Sequence, residues 1–230
     1  MRLAIIPARG GSKRIPKKNI KDFCGRPIIA YSINAAIKSS LFDIVMVSTD
    51  SEEIASLAKE YGAEVPFLRS NRTSDDYATT SDVLEEVLVR YKDIGYTFDC
   101  FCCIYPTAPL VTATKLNEAF TLFEDKKAEA VLPVVKYSYP PQRAIVIKDG
   151  LASFQYIENR FARSQDLEAI YHDAGQFYFL RTEAFVKQHD LVLKKTIPLI
   201  VNELEVQDID NETDWKLAET KYRMAVKTDG

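Results

Sequence analysis

The stretch RLAIIPARGGSKRIPKKN, residues 2–19, decides the fold. An apolar run, Leu3 to Ala8, passes directly into Gly10 and Gly11, and five cations crowd the same turn: Arg9, Lys13, Arg14, Lys17 and Lys18. A continuous apolar run of this length reads as a strand buried on both faces, the kind found in parallel sheets. A self-repelling cluster of cations at the end of such a strand belongs where an anion docks. The backbone amides of a glycine-containing turn cradle the anion, and lysine and arginine supply the countercharge.

Working outward, strand-like and helix-like segments alternate. PIIAYSINAAIKSS (27–40) has helical spacing, with Pro27 allowed in the first turn. DIVMVSTD (43–50) reads as a second buried strand, and SEEIASLAKEYG as a helix closed by Gly62. AEVPFLR reads as a short strand, TTSDVLEEVLVRYKDIG (79–95) as a capped helix, FDCFCCIYPTAPL as a strand with a proline-marked loop, and TATKLNEAFTLFEDK (112–126) as a helix. This order predicts an α/β fold with a mostly parallel sheet between two layers of helices. Ligands in such folds sit at the carboxyl ends of the strands, which aligns three loops: residues 9–19, STDSEE and YPTAPL.

From about residue 129 the pattern becomes strands and turns, with Asp149-Gly150 marking a hairpin. AGQFYFLRTEAF reads as a strand entering a helix, and the chain closes with strands, an acidic loop and a helix. No repeat, low-complexity tract or linker divides the chain. The expectation is one domain over 1–230 carrying an insertion at 131–180.

Composition excludes several classes. With 47% hydrophobic and 27% charged residues and a net charge of −3, the chain is a globular protein without the basic excess of a nucleic-acid binder. No leader is expected at the N-terminus and no membrane partner, because no apolar run approaches the roughly 20 residues needed to cross a bilayer. Cys100, Cys102 and Cys103 fall in an apolar run and Cys24 stands apart, so the four cysteines read as reduced thiols in a cytoplasmic protein. Neither the phosphate-binding GxxxxGK[ST] pattern nor the dinucleotide GxGxxG pattern is present.

The acidic run DIDNETD (208–214) has two readings. Asp208 and Asp210 alternate across Ile209, so an extended backbone points both carboxylates the same way, a placement suited to magnesium. The same run also reads as a helix start capped by Asp210 or Asn211, with Glu212 and Asp214 complementing the helix dipole.

Taken whole, PARGGSKRIPKKN resembles the signature of the sugar-activating cytidylyltransferases, which couple CTP to an acidic keto-sugar. The similarity continues through INAAI, VSTDSEEIA, YPTAPL and QDIDNETDW. Enzymes acting on nonulosonic acids match best, and YHDAGQFYF is most similar to their pseudaminic acid branch. The resemblance implies a three-layer Rossmann-like nucleotidyltransferase fold whose small insertion builds a homodimer. It implies that Arg9, Lys13 and Lys18 hold the triphosphate of CTP, with Gly11 and Ser12 as further donors. Asn19, Arg69 and Thr80 would meet the ribose or base. Asp208 and Asp210 would hold Mg2+. No residue stands out as a general base, and Asp210, or a metal-bound water beside it, is the candidate to accept the sugar hydroxyl proton.

Sialic-acid enzymes commonly carry a glutamine where this chain has Tyr105, and an Asn-Gly pair where it has Asp173-Ala174-Gly175-Gln176. Tyr105, His172 and Gln176 are therefore expected near the sugar. Arg143 and Arg163 are candidates for its carboxylate, against the ordinary fate of a surface ion pair. His189 reads as an exposed helix-end residue. Alternatives are a sialic, legionaminic or eight-carbon keto-sugar substrate, or a nucleotide-binding protein without turnover.

Overall fold

A computed structural model describes residues 1–75 and 77–228. The chain begins with β1 (Arg2–Pro7), a small hairpin of β2 (Asp22–Phe23) and β3 (Arg26–Pro27), α1 (Ile29–Ser39), β4 (Ile44–Ser48) and α2 (Glu52–Glu60). There follow α3 (Asn71–Ser74), α4 (Thr80–Asp93), β5 (Cys100–Ile104), α5 (Ala113–Asp125) and β6 (Ala130–Lys136). A second hairpin, β7 (Ile145–Lys148) and β8 (Leu151–Phe154), precedes β9 (Tyr171–Asp173) and β10 (Phe177–Arg181). The chain closes with α6 (Thr182–Gln188), β11 (Thr196–Ile200) and α7 (Glu212–Thr228).

The main sheet has the order β11-β6-β10-β5-β1-β4, with β9 also on β6. β1 pairs in parallel with β4 and β5, and β11 with β6, while β10 and β9 run the other way. The mostly parallel sheet is therefore as expected. Alternation along β1 shows why the strand is apolar throughout. Leu3 and Ile5 pack with α4 and α6, whereas Ala4 and Ile6 pack with α1, α2 and α5. Both faces are covered by helices, giving three layers.

Local signals account for most helix ends. Ser51 caps α2, and Thr79 forms a capping box with Asp82 at the start of α4. Gly62 and Gly95 close α2 and α4 at positive φ. Asp149 and Gly150 both have positive φ, as the two-residue hairpin requires.

Several expectations are corrected. Pro27 lies in the hairpin before α1, outside the helix's first turn, because Cys24 and Gly25 take positive φ and fold residues 22–27 back on themselves. AEVPFLR forms only an isolated bridge between Glu64 and Met46, since Pro66 has no N–H to continue a ladder. β6, β9 and β10, which lie largely within 131–180, belong to the main sheet, and the chain leaves that sheet over residues 137–170.

A small separate core seats the functional loops. Ile15 from the cationic loop and Ile209 from the acidic loop are both fully buried, sharing a cluster with Phe23, Ile28, Tyr31, Trp215 and Ala218. Two loops almost two hundred residues apart in sequence are thereby fixed to one another. All four cysteines are free thiols, three of them buried in β5. Among the described residues no helix is long and apolar enough to cross a membrane.

Candidate active site

A cleft of about 490 Å³ opens at the carboxyl ends of β1 and β5. Its floor and walls include Arg9, Ser12, Lys13, Arg14, Lys18, Asn19, Arg69, Thr80 and Tyr105. Four of the five loop cations thus share one cavity. The exception is Lys17, whose left-handed backbone (φ 52°) throws its ammonium outward to Glu53 at 2.7 Å.

The loop is held from both sides. Asn19, nearly buried, donates its amide to the Arg9 carbonyl at 2.9 Å and closes the loop across its mouth. The Gly10 N–H donates to Asp50 Oδ1 at 2.8 Å, tying the loop to the turn after β4. A Cβ on Gly10 would lie 3.2 Å from the Ser51 Cβ, so a side chain there would crowd the turn after β4. Gly11 has open space around it and lies outside the cleft's lining, so the tightly packed glycine is its neighbour. The STDSEE turn thus braces the site from behind.

Arg69 sits deeper. Its Nη2 donates to the Ser48 carbonyl at 2.6 Å, Nε to Ser48 Oγ at 3.2 Å and Nη1 to the Thr73 carbonyl at 3.5 Å. Burial pulls its basicity down while Asp50 and Glu86 oppose the shift. Arg9 donates to the Asp75 carbonyl at 3.2 Å. Both guanidinium groups therefore rest on backbone oxygens of α3 and the residue that closes it. At the opposite wall, Thr80 Oγ1 lies 3.4 Å from the Tyr105 hydroxyl. Burial, with the neighbouring Cys103, raises the Tyr105 hydroxyl above its ordinary value. The N-terminus of α4 faces this wall through Thr79 and Thr80, and its dipole adds to the positive field.

Behind the cations lies the acidic loop. Lys18 Nζ donates to the Ile209 carbonyl at 2.6 Å, and Arg14 pairs with Asp210 at 2.7 Å. Burial lowers Lys18 while Asp210 and Asp208 push it back up. Ile209 turns into the small core, and the charges of Asp208 and Asp210 on either side of it both bear on Lys18. Asn211, not Asp210, caps α7: its Oδ1 accepts from the N–H groups of Thr213 and Asp214, and Asp214 accepts from Asn211 in return. The cap and the carboxylate pair therefore coexist.

The donor set fits a hard divalent cation. Burial and then the Asp210 charge hold the Asp208 carboxyl above its usual range, a strain that a cation beside the pair would relieve. Among the described residues no three acidic, histidine or cysteine side chains gather at one metal position. The remaining ligands for magnesium would come from substrate phosphates and water.

The matching family model, "Cytidylyltransferase", covers residues 3–219. The chain belongs to the cytidylyltransferase family. Among its relatives, the pseudaminic acid cytidylyltransferase of Campylobacter jejuni is 38% identical over 223 residues, covering 96% of each chain. The CMP-N,N'-diacetyllegionaminic acid synthase of Legionella pneumophila is 34% identical, covering 94% of each. A solved CMP:2-keto-3-deoxy-manno-octonic acid synthetase complexed with CTP shares the nucleotidyltransferase fold at a TM-score of 0.69 and 17% identity, covering 98% of this chain and 99% of that one.

The expected sugar contacts divide in this cytidylyltransferase. Tyr105 is in the cleft. Gln176 is not: its side chain is buried, donates to the Glu205 carbonyl at 2.7 Å and borders a different cavity beside α5. The cause is Gly175, whose positive φ reverses the chain so that Gln176 turns away. His172, on β9, packs against Tyr137 with ring centroids 4.9 Å apart and planes tilted by 58°, outside the cleft's lining. Arg163 pairs with Asp166 at 2.7 Å, and Arg143 reaches Ser164 at 3.4 Å, both on the excursion. The sequence reading left Arg14, Thr73, Asp75, Thr79 and Thr107 unassigned in the cleft. Arg14 carried a signal in its place among the five cations, and Thr107 in its place in the YPTAPL loop.

Proposed function

We propose that this cytidylyltransferase couples CTP to a nonulosonic acid, pseudaminic acid first among them, giving the CMP-sugar and pyrophosphate. The observation that carries this reading is Arg9, Lys13, Arg14 and Lys18 converging on one cleft with Asp208 and Asp210 directly behind. The 38% identity to a pseudaminic acid cytidylyltransferase supports that sugar, and the 34% relative makes a legionaminic acid the second reading.

The anomeric hydroxyl oxygen of the sugar forms a bond to the α-phosphorus of CTP. The bond from that phosphorus to the bridging oxygen breaks, and pyrophosphate leaves with its electron pair. Asp210 accepts the hydroxyl proton. Phosphoryl-type transfer is catalysed chiefly by positioning and charge neutralisation. Arg9, Lys13 and Lys18, with the Ser12 hydroxyl, bind the phosphates and offset the charge that grows on the leaving group. Asn19, Arg69 and Thr80 line the part of the cleft that takes the nucleoside. Asp208 and Asp210 would hold Mg2+, which when bound withdraws charge from the phosphate oxygens.

The sugar is expected to lie beyond Tyr105. Its carboxylate falls to Arg143 or Arg163 delivered by a second copy, because neither reaches this chain's own cleft. The exposed apolar side chains of the excursion, Ile147, Leu151 and Phe161 among them, support a homodimer built there. The free thiols support work in the reducing cytoplasm.

The test is pyrophosphate release from CTP and magnesium with pseudaminic, legionaminic or N-acetylneuraminic acid in separate reactions. Release with pseudaminic acid alone is expected. Release with another sugar only would replace the substrate, and CTP binding without release for any sugar would replace the enzyme with a nucleotide-binding protein.

A further inference from the structure

Glu86 is a carboxylate where a core residue would be expected. It lies on the inner side of α4, 8% exposed, between Leu84 and Val87 of the sheet-facing core. Burying a charge is costly unless hydrogen bonds replace its water. Glu86 Oε1 accepts from the Ser70 N–H at 2.8 Å, Oε2 accepts from the Ser70 hydroxyl at 2.6 Å, and the Thr73 hydroxyl also donates to Oε2. Burial alone would push the carboxyl up. The Ser70 and Thr73 donors and the charge of Arg90 outweigh it and hold the group below its ordinary value, hence ionised.

All three donors come from the cap and body of α3, a single helical turn. One turn has no stability of its own, since fixing its residues returns almost no internal hydrogen bonding. Its place is set by what it touches, and what it touches inside the protein is Glu86. The other side of the same segment faces the cleft. The Thr73 carbonyl accepts from Arg69 and the Asp75 carbonyl accepts from Arg9. Thr73 is thus bonded at both ends, by its hydroxyl to Glu86 and by its carbonyl to Arg69.

We propose that Glu86 is a positioning residue for CTP: by fixing α3 it fixes the backbone oxygens that aim Arg9 and Arg69 into the cleft. This rests on the reading of the cleft as the CTP site. Glu86 touches neither nucleotide nor sugar, so its loss should act only through Arg9 and Arg69: CTP binding weakens, and turnover falls only as far as Arg9 is misplaced.

The test compares wild type, Glu86→Gln and Thr73→Val by calorimetric CTP titration and by steady-state kinetics. Glu86→Gln keeps the shape but removes the charge and turns one acceptor oxygen into a donor, which the Ser70 and Thr73 hydroxyls meet only by giving up a bond they donate. CTP affinity is expected to fall about tenfold, the scale of one disturbed buried hydrogen bond, with the sugar KM held near wild type. Thr73→Val should shift affinity in the same direction, and it decides the matter if Glu86→Gln does not fold. A double-mutant cycle with Arg69→Lys, read in the CTP affinity, should be non-additive because Thr73 links the two side chains, and additivity would count against the route through α3. Variants that bind CTP as wild type does, or that lose kcat at unchanged affinity, overturn the inference alone. A wild type that binds no CTP overturns the reading of the cleft together with it.

Discussion

Lys18 Nζ donates to the main-chain carbonyl of Ile209 at 2.6 Å, joining residues 191 positions apart. The contact puts an ammonium between the cleft and the acidic loop, with Asp208 and Asp210 flanking its acceptor. Lys18 thus has two jobs. It presents charge to the phosphates, and it holds the two loops in register where Ile15 and Ile209 share a core.

Lys18→Met keeps the stem's packing and removes both the charge and the link. Removing one preorganised charge contact at a phosphoryl site costs on the order of 10² to 10³ in rate. We expect kcat/KM for CTP to fall by that factor, with the fold retained because Ile15 and Ile209 still pack. Initial-rate measurements alongside circular dichroism check this. Near-normal kcat/KM in a folded variant would remove Lys18 from the phosphate site.

The hairpin of β7 and β8 stands outside the main sheet, and an isolated two-stranded ribbon is marginal in water. Ile147 and Leu151 are 76% and 75% exposed upon it. Replacing both with glutamate should convert a dimer into a monomer in sedimentation velocity. It should also lower turnover, because Arg143 and Arg163 would no longer reach a neighbouring cleft. A wild type that sediments as a monomer at working concentration would end the dimer proposal.

Physical reasons separate what the sequence revealed from what it hid. β1, β4 and β5 were legible because strands buried on both faces read as unbroken apolar runs, and α2, α4 and α5 because their Ser51, Thr79 and Thr112 caps are local signals. The cationic loop was legible as a site, yet which lysine faces the cleft depended on one left-handed residue, Lys17. α3 was invisible because a four-residue helix held by a distant carboxylate has no local pattern. Gln176 misled because alternation places side chains only within a strand, and Gly175 breaks the strand just before it. Among the described residues, Arg143 and Arg163 meet only Ser164 and Asp166 on the excursion, and nothing in their own neighbourhood marks either for the sugar.

Stability in acid should depend on Asp82. Its carboxylate accepts from the Thr79 side chain and backbone and from His189 at 3.2 Å, in that order of effect, and is held at about 2. A depressed carboxyl stabilises the fold fully above its unfolded value of 3.8 and loses that contribution as pH falls toward 2. Asp82→Ala removes half of a capping box, a loss of about 1 kcal/mol, which lowers Tm by roughly 2–4 °C in a chain of this size. The gap in Tm between the two proteins should be constant above pH 5 and narrow toward pH 2. A gap that widens on acidification would contradict this assignment.

Asp208 should trade stability for metal binding. Its carboxyl is pushed up by burial and by Asp210, so at neutral pH the ionised pair works against the fold even with Lys18 nearby. Asp208→Asn removes that repulsion, and we expect the metal-free variant to melt slightly above wild type. The wild type should gain thermal stability when magnesium and CTP are added together, because a ligand that binds only the native state raises Tm by mass action. Magnesium alone should do little, since two carboxylates leave most of its coordination to phosphates and water. In Asp208→Asn the magnesium-dependent part of the CTP shift should vanish, and chelation should halt wild-type turnover until magnesium is restored. Differential scanning fluorimetry in four conditions, with and without each ligand, reads all of this. If Asp208→Asn keeps the full magnesium-dependent shift, the metal is held elsewhere and the acidic pair serves Lys18 and Arg14 alone.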